Sequence, residues 1–188
     1  MKVIICPGVH DLELSDRFLA SVFYTTKSSA TPGQNSQHLQ QPQKFLLFPT
    51  EKYPAYSPYH LYRWLKLQNP SQEELFFIAF SAGVVAAIGA ILALQNQRVK
   101  ISGLVAIDGW GVPLWGKFPI YRFSHDHFTH WSSAILGTGK ASFYSDPTVE
   151  HLTMWHSPEN CTGWITQQHL PPRKSTAKDY LQEILSIA

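Results

Sequence analysis

Residues 75 to 94 place one serine where its hydroxyl could act as a nucleophile. The run Leu75-Phe76-Phe77-Ile78-Ala79-Phe80 is apolar and strand-like, Ser81 follows it, and Ala82-Gly83 opens a second apolar run from Val84 to Leu94. A side chain held at so sharp a strand-to-helix turn needs small neighbours, because bulk would collide with the adjoining strand or helix. Ala79 and Gly83 fill those two places. Ser81 then stands at a helix N-terminus, where free backbone N–H groups favour negative charge. The segment reads as a nucleophile elbow of the form Ala-Phe-Ser-Ala-Gly. The competing use of the same residue is a helix N-cap, a position serine favours in any case.

A serine hydroxyl is a weak nucleophile unless a histidine takes its proton and a carboxylate orients that histidine. Two acids follow Ser81 at strand ends. Asp108 closes Ile101 to Ile107, and Asp146 closes Lys140 to Ser145; Asp146 precedes Pro147, an arrangement that also serves as a helix start. Six of the nine histidines fall between His125 and His169, so position has to choose among them. His125 follows the strand-like Pro119 to Ser124 and precedes a helix, a placement that aims an imidazole at one edge of a sheet. His151 near the first turn of the next expected helix and His169 after a weak strand at 163–166 are the alternatives.

The cluster His125-Asp126-His127-Phe128-Thr129-His130 also raises metal binding, since imidazoles ligate zinc, iron and nickel. On a helix His127 and His130 share a face while His125 points elsewhere, and Thr129 stands where the comparable binuclear pattern has aspartate. No metal and no other cofactor is therefore expected. Between Asp108 and Trp131 lie Trp110, Trp115, Phe118, Tyr121, Phe123 and Phe128, an aromatic excursion over about 109–131 that suits an apolar pocket or partial lid and equally suits core packing. Trp110 and Trp115 are the substrate-binding candidates. Tyr53, Tyr56, Tyr59 and Tyr62 form a second aromatic group, read as packing.

The elements that must position these residues alternate between strand and helix. Val3 to Cys6 reads as a buried strand stopped by Pro7-Gly8, Leu12 to Phe23 as an amphipathic helix, and Lys44 to Pro49 as a strand. A helix from Ser57 precedes the Ser81 strand. Later expectations are a strand at Phe118 to Phe123, helices from His125 to Leu136 and from Pro147 to His156, and a closing helix from Thr176 to Ile187. Residues 24 to 42, rich in Ser, Thr, Gln, Pro and Gly, read as a surface loop. Repeated strand-helix units with continuous apolar strands imply an α/β fold: a mostly parallel sheet of about five to six strands with helices on both faces, in a single domain spanning 1–188.

Composition bounds the function. The chain has 188 residues, 44% of them hydrophobic, and a formal charge of only +2. Its Lys and Arg are scattered singly, which excludes the basic stripe of a nucleic-acid binder. Cys6 and Cys161 form no Cys-x-x-Cys, so neither zinc nor a redox pair is suggested, and a reduced cytoplasmic setting is expected. The N-terminal apolar run is too short for a signal peptide, and Val84 to Leu94 is far short of the roughly 20 residues of a membrane span.

With the Ser81 turn and the alternating elements in place, the chain resembles a small, N-terminally trimmed α/β-hydrolase, a family of esterases, lipases and thioesterases. The resemblance implies the chain order Ser, acid, His. Leu104-Val-Ala-Ile-Asp108 is similar to the acid-bearing segment of pancreatic-type lipases, whereas most of the family keeps its acid nearer Asp146. The expected triad is Ser81, Asp108 and His125, with Asp146 and His169 as the rival pair. Pro7-Gly8-Val9-His10 stands where the family has its oxyanion loop, which implies that backbone N–H groups of Ala82 and of Val9 or His10 hold the oxyanion. The implied function is hydrolysis of an ester or thioester of a small or acyl-chain substrate. The alternative is a noncatalytic protein of the same fold that binds a partner or apolar ligand. Substrate identity and oligomeric state are not legible in the sequence.

Overall fold

The computed structural model describes residues 1–24, 45–68 and 73–188. Most of the expected surface loop at 24–42, and Lys44 of the second strand, lie outside the described residues.

Six strands run parallel because each is joined to the next of them by a crossover that returns the chain to the same end of the sheet. They are β1 (Lys2–Cys6), β2 (Phe45–Leu47), β3 (Leu75–Phe80), β4 (Ile101–Ile107), β5 (Ile120–Ser124) and β6 (Ala141–Ser145). Two further strands, β7 (Thr162–Gln167) and β8 (Leu170–Thr176), add antiparallel at one edge. The order across the sheet is β2-β1-β3-β4-β5-β6-β7-β8. The expected count of five to six strands is therefore too low, since the described residues form eight. The weak strand at 163–166 is real, and β8 was hidden by Pro171 and Pro172. Proline removes a ladder donor and argues against a central strand, but an edge strand pairs on one side only and tolerates it.

The central strands are buried on both faces, as their unbroken apolar sequences require: all six residues of β3 are buried. One face carries α1 (Leu12–Phe23) and α6 (Ala177–Ile187). There Phe18, Val22, Tyr180, Leu181 and Ile184 pack against the side chains of Val3, Ile5, Phe76, Ile78, Val105 and Phe123. The other face carries α2 (Pro58–Leu67) and α3 (Ala82–Gln95), over Ile4, Phe77, Ala79 and Leu104. Helix α3 is apolar nearly all round because it is covered by both the sheet and α2. Gly89 allows the close approach of α2, since a Cβ there would stand 2.7 Å from Pro58 Cβ.

Helix α4 (His127–Ser133) continues into a 3-10 turn, Ala134–Leu136, close to the expected span. The helix expected from Pro147 is shorter, because α5 covers only Thr153–His156. The preceding residues are held against the end of β5, where the Val149 N–H donates to the His125 carbonyl at 3.1 Å, and so form a loop in place of the helix's first turns. This loop carries His151.

Candidate functional site

The C-terminal ends of β3, β4, β5 and β6 lie side by side, and each delivers one polar side chain to the same edge. Ser81 follows β3 with φ 52° and ψ −121°. That is a sparsely populated, strained conformation for a residue with a side chain. It is not the extended conformation of an N-cap, and the Ser81 side chain makes no capping bond. The contrast with Ser57, Asp126 and Thr176 is direct, since each of these caps its helix through a side-chain oxygen. The capping use of Ser81 is thereby removed. Its backbone is fixed instead by its N–H, which donates to the Ile107 carbonyl at 2.8 Å.

The small neighbours have identifiable causes. A Cβ on Gly83 would meet the carbonyl oxygens of Cys6 at 2.2 Å and Pro7 at 2.5 Å, so the first turn of α3 touches the backbone leaving β1. A Cβ on Gly8 would meet Ser81 Cβ at 3.1 Å. The Pro7-Gly8 loop therefore packs beside the serine. Ala82, the first residue of α3, has one of the N–H groups that helix geometry leaves without an intrahelical acceptor.

Asp108 follows β4 with φ 50°, a conformation aspartate tolerates better than most residues. Its carboxylate is 1% exposed and accepts three hydrogen bonds. The His125 N–H donates to Oδ1 at 2.9 Å, and the Nδ1 atoms of His125 and His151 lie 3.0 and 2.8 Å from Oδ2. Burial would push the Asp108 carboxyl up; the bonds from His125 and His151 and the attraction of His125 outweigh it and hold the group below its ordinary value.

The two histidines differ at their other nitrogen. His125 Nε2 lies 3.4 Å from Asp126 Oδ2, so this ring faces a carboxylate on both sides. The bond to Asp108 raises the His125 pKa; partial burial opposes it, and the charges of Asp108, Asp126 and Glu150 add to it. His151 Nε2 has no carboxylate partner among the described residues. The His151 ring stacks on Phe80, the residue before Ser81, with centroids 4.7 Å apart, and its side chain is 42% exposed.

A cavity of about 430 Å³ opens over this group. Ser81, Ala82, Asp108, Trp110, His125 and His151 line it, together with Val85, Val112 and Thr129. Ser81 makes no side-chain hydrogen bond to another described residue, and neither imidazole is bonded to it. Without a substrate such contacts are often long and close only in the complex.

Of the residues expected from the sequence, Ser81, Ala82, Asp108, Trp110 and His125 line one cavity. Trp115 does not, and neither Val9, 76% exposed, nor His10, whose ring packs near Phe80 and Trp155, is in the lining. The rival pair is apart from the cavity. His169 sits in the turn between β7 and β8, and the Asp146 carboxylate accepts the Trp164 indole N–H at 2.9 Å. Val85, Val112 and Thr129 also line the cavity, and no motif or spacing singles them out.

Asp108, His125 and His151 each offer a ligand atom, all within 4.8 Å of one another, and so form a group able to hold a metal ion. This set shares only His125 with the cluster considered from the sequence. No helix among the described residues is long and apolar enough to cross a membrane. No protein-family model matches the chain, and no curated protein matches it.

Proposed function

We propose that the protein is a serine hydrolase of ester or thioester bonds, resembling a minimal α/β-hydrolase, in which Ser81 is the nucleophile, His151 the base and Asp108 the acid. The observation that carries this reading is the pair of bonds on Asp108 Oδ2 beside a strained serine with no capping role. His151 donates Nδ1–H to Asp108, a tautomer that leaves the Nε2 lone pair free to take the Ser81 proton. His125, expected from the sequence to be the base, is less suited to it. With carboxylates at both nitrogens it is best satisfied as an imidazolium, which has no lone pair to accept a proton. Its role in this reading is to hold Asp108 ionised and fixed, through the backbone N–H as well as the ring.

In the reaction, Ser81 Oγ attacks the acyl carbonyl while His151 takes its proton. The Ala82 N–H at the head of α3 stabilises the oxyanion, a donor worth about 3 kcal/mol in well-studied cases. The imidazolium of His151 protonates the leaving group, and water activated by the same ring then releases the acyl group. Trp110, Val85 and Val112 supply an apolar wall, which favours an acyl or aryl group over a charged one. Purified protein assayed with p-nitrophenyl esters of increasing acyl length tests the reading. Turnover that is lost in Ser81→Ala supports it; equal turnover in parent and variant leaves a binding protein of the same fold.

A second reading rests on the Asp108, His125 and His151 group, which a divalent ion could occupy in place of the hydrogen bonds. Metal-dependent hydrolysis at the same edge is the chemistry it would give.

A further inference from the structure

The face of the sheet under α4 holds a second cavity, of about 240 Å³, whose composition differs from the first. Arg122 of β5, Ser142 of β6 and Thr166 of β7 stand in register as a polar row across three adjacent strands. Arg122 and Ser142 are buried polar residues in strands whose other buried side chains are mostly apolar. Arg122 is 3% exposed. One of its terminal nitrogens, Nη2, donates to the His130 carbonyl at 2.8 Å and to the Ser133 hydroxyl, which anchors the end of α4. Its other nitrogens donate to no described residue, and no carboxylate pairs with it among the described residues.

A buried guanidinium without a counter-charge is costly to a fold, since a charge taken from water needs compensation. The cavity contributes none of its own: its lining contains no Asp or Glu. Burial pulls the Arg122 pKa down, but arginine remains charged at any physiological pH. The Lys140 ammonium, over the Tyr121 ring at 5.9 Å, adds a second positive charge beside the cavity. His130 lines the same space, and its Nδ1 is buried without a hydrogen-bond partner among the described residues. The Ser142 and Thr166 hydroxyls are 2.9 Å apart, so whichever donates to the other leaves that other hydrogen free for a further acceptor.

From the uncompensated Arg122, the acid-free lining and the orphan His130 nitrogen, we infer that this cavity is a binding site for an oxyanion, a phosphate or carboxylate group of a small metabolite. The N–H groups that remain on Nε and Nη1 of the guanidinium are available to give such a group a charge-assisted hydrogen bond. A Ser142 or Thr166 hydroxyl and the neutral His130 imidazole reach the remaining lone pairs. The site is separate from the Ser81 cavity, with α4 between them: Thr129 faces the first and His130 the second. The inference does not depend on whether Ser81 is catalytic.

The test is thermal unfolding and amide NMR of the whole protein titrated with sodium phosphate and, separately, sodium acetate, each against sodium chloride of equal ionic strength. Binding to the folded state should raise Tm by about 2 °C or more at saturation. Amide shifts should concentrate at 122, 130, 138–142 and 166–168. Response to phosphate alone identifies a phosphate-bearing ligand, and response to acetate as well, or alone, a carboxylate; either outcome supports the site. Arg122→Gln should abolish the response. Because that variant also loses the bonds to α4 and can unfold, Thr166→Val, which keeps them, serves as the second variant and should weaken binding by about tenfold, the usual worth of one lost hydrogen bond. No response to either anion, or shifts that map elsewhere or persist in both variants, would overturn the inference.

Discussion

His151 Nδ1 lies 2.8 Å from Asp108 Oδ2, a contact between residues 43 positions apart that joins the ends of two strands separated in the sheet by β5. The same oxygen receives His125 from β5 itself at 3.0 Å. One carboxylate thus holds two imidazoles whose remaining nitrogens face different surroundings, and that difference separates their expected roles.

Substitution of the two histidines should be unequal. His151→Ala removes the proposed base and should lower kcat by about 10² or more, the usual contribution of a positioned acid–base group. His125→Gln should cost less than that, because Asp108 keeps its bond to His151. Asp108→Asn should cut kcat by about 10⁴, as loss of the orienting acid does in the best-studied triads. Steady-state kinetics of the three variants, with circular dichroism to establish folding, decides the matter. A greater loss in His125→Gln than in His151→Ala would return the base to His125.

Gly83→Ala should damage both fold and site. The new methyl would stand 2.2 Å from the Cys6 carbonyl oxygen, against backbone and not against a side chain that can turn away. Overpacking of this kind costs about 1–3 kcal/mol. The relief available is a shift of the Pro7-Gly8 loop away from Ser81, so urea unfolding should show lower stability and the surviving folded protein should show reduced turnover. Unchanged values for both would mean that the loop moves freely and takes no part in the site.

Stability should depend on pH through His130. Burial, with the nearby charges of Arg122 and His127, lowers its pKa from 6.5 to about 4. A depressed value means that the unfolded chain binds this proton more readily than the folded one. The contribution is therefore intact above pH 6.5 and is lost progressively as pH falls through about 4. His125 acts in the opposite direction: its raised pKa gives stability that is present below its unfolded value and lost as pH rises through the folded one. Urea midpoints between pH 4 and 7 should fall on the acid side in the parent, and more shallowly in His130→Gln. Parallel curves for the two proteins would contradict the assignment.

Metal removal separates the two readings of the Asp108 group. A triad needs no ion, so dialysis against a strong chelator should leave turnover unchanged, while added zinc should inhibit by occupying the nitrogen that orients His151. Loss of turnover on chelation with recovery on zinc would make these three residues a metal centre instead.

Much of this arrangement was legible in the sequence because local signals and burial agreed. The alternation of apolar strands with helices gave the parallel α/β plan, and Leu12–Phe23, Ile101–Ile107 and the closing helix, at Ala177–Ile187 against the expected Thr176 to Ile187, fall where the pattern put them. Ser81 was legible because only a sharp turn explains small residues on both sides of it. His151 was harder to place than His125 because its approach to Asp108 depends on contacts across the sheet. Pro147 read as the opening of a helix, whereas a long-range bond from Val149 to the end of β5 keeps this segment a loop. Pro171 and Pro172 hid β8 for a related reason, since only its place at the sheet edge makes them acceptable. Trp115 looked equivalent to Trp110 by residue type, and only the path of the chain after Asp108 separates them.

The most direct test of the central claim is covalent labelling by a fluorophosphonate probe at neutral pH, with the modified residue located by peptide mass spectrometry. An activated hydroxyl is the only kind of serine such a probe modifies readily. The account predicts a single adduct at Ser81, absent from Ser81→Ala and strongly reduced in His151→Ala. Folded parent protein that takes up no label, or takes it at another serine, would contradict the account and leave the Asp108 cavity as a binding site without a nucleophile.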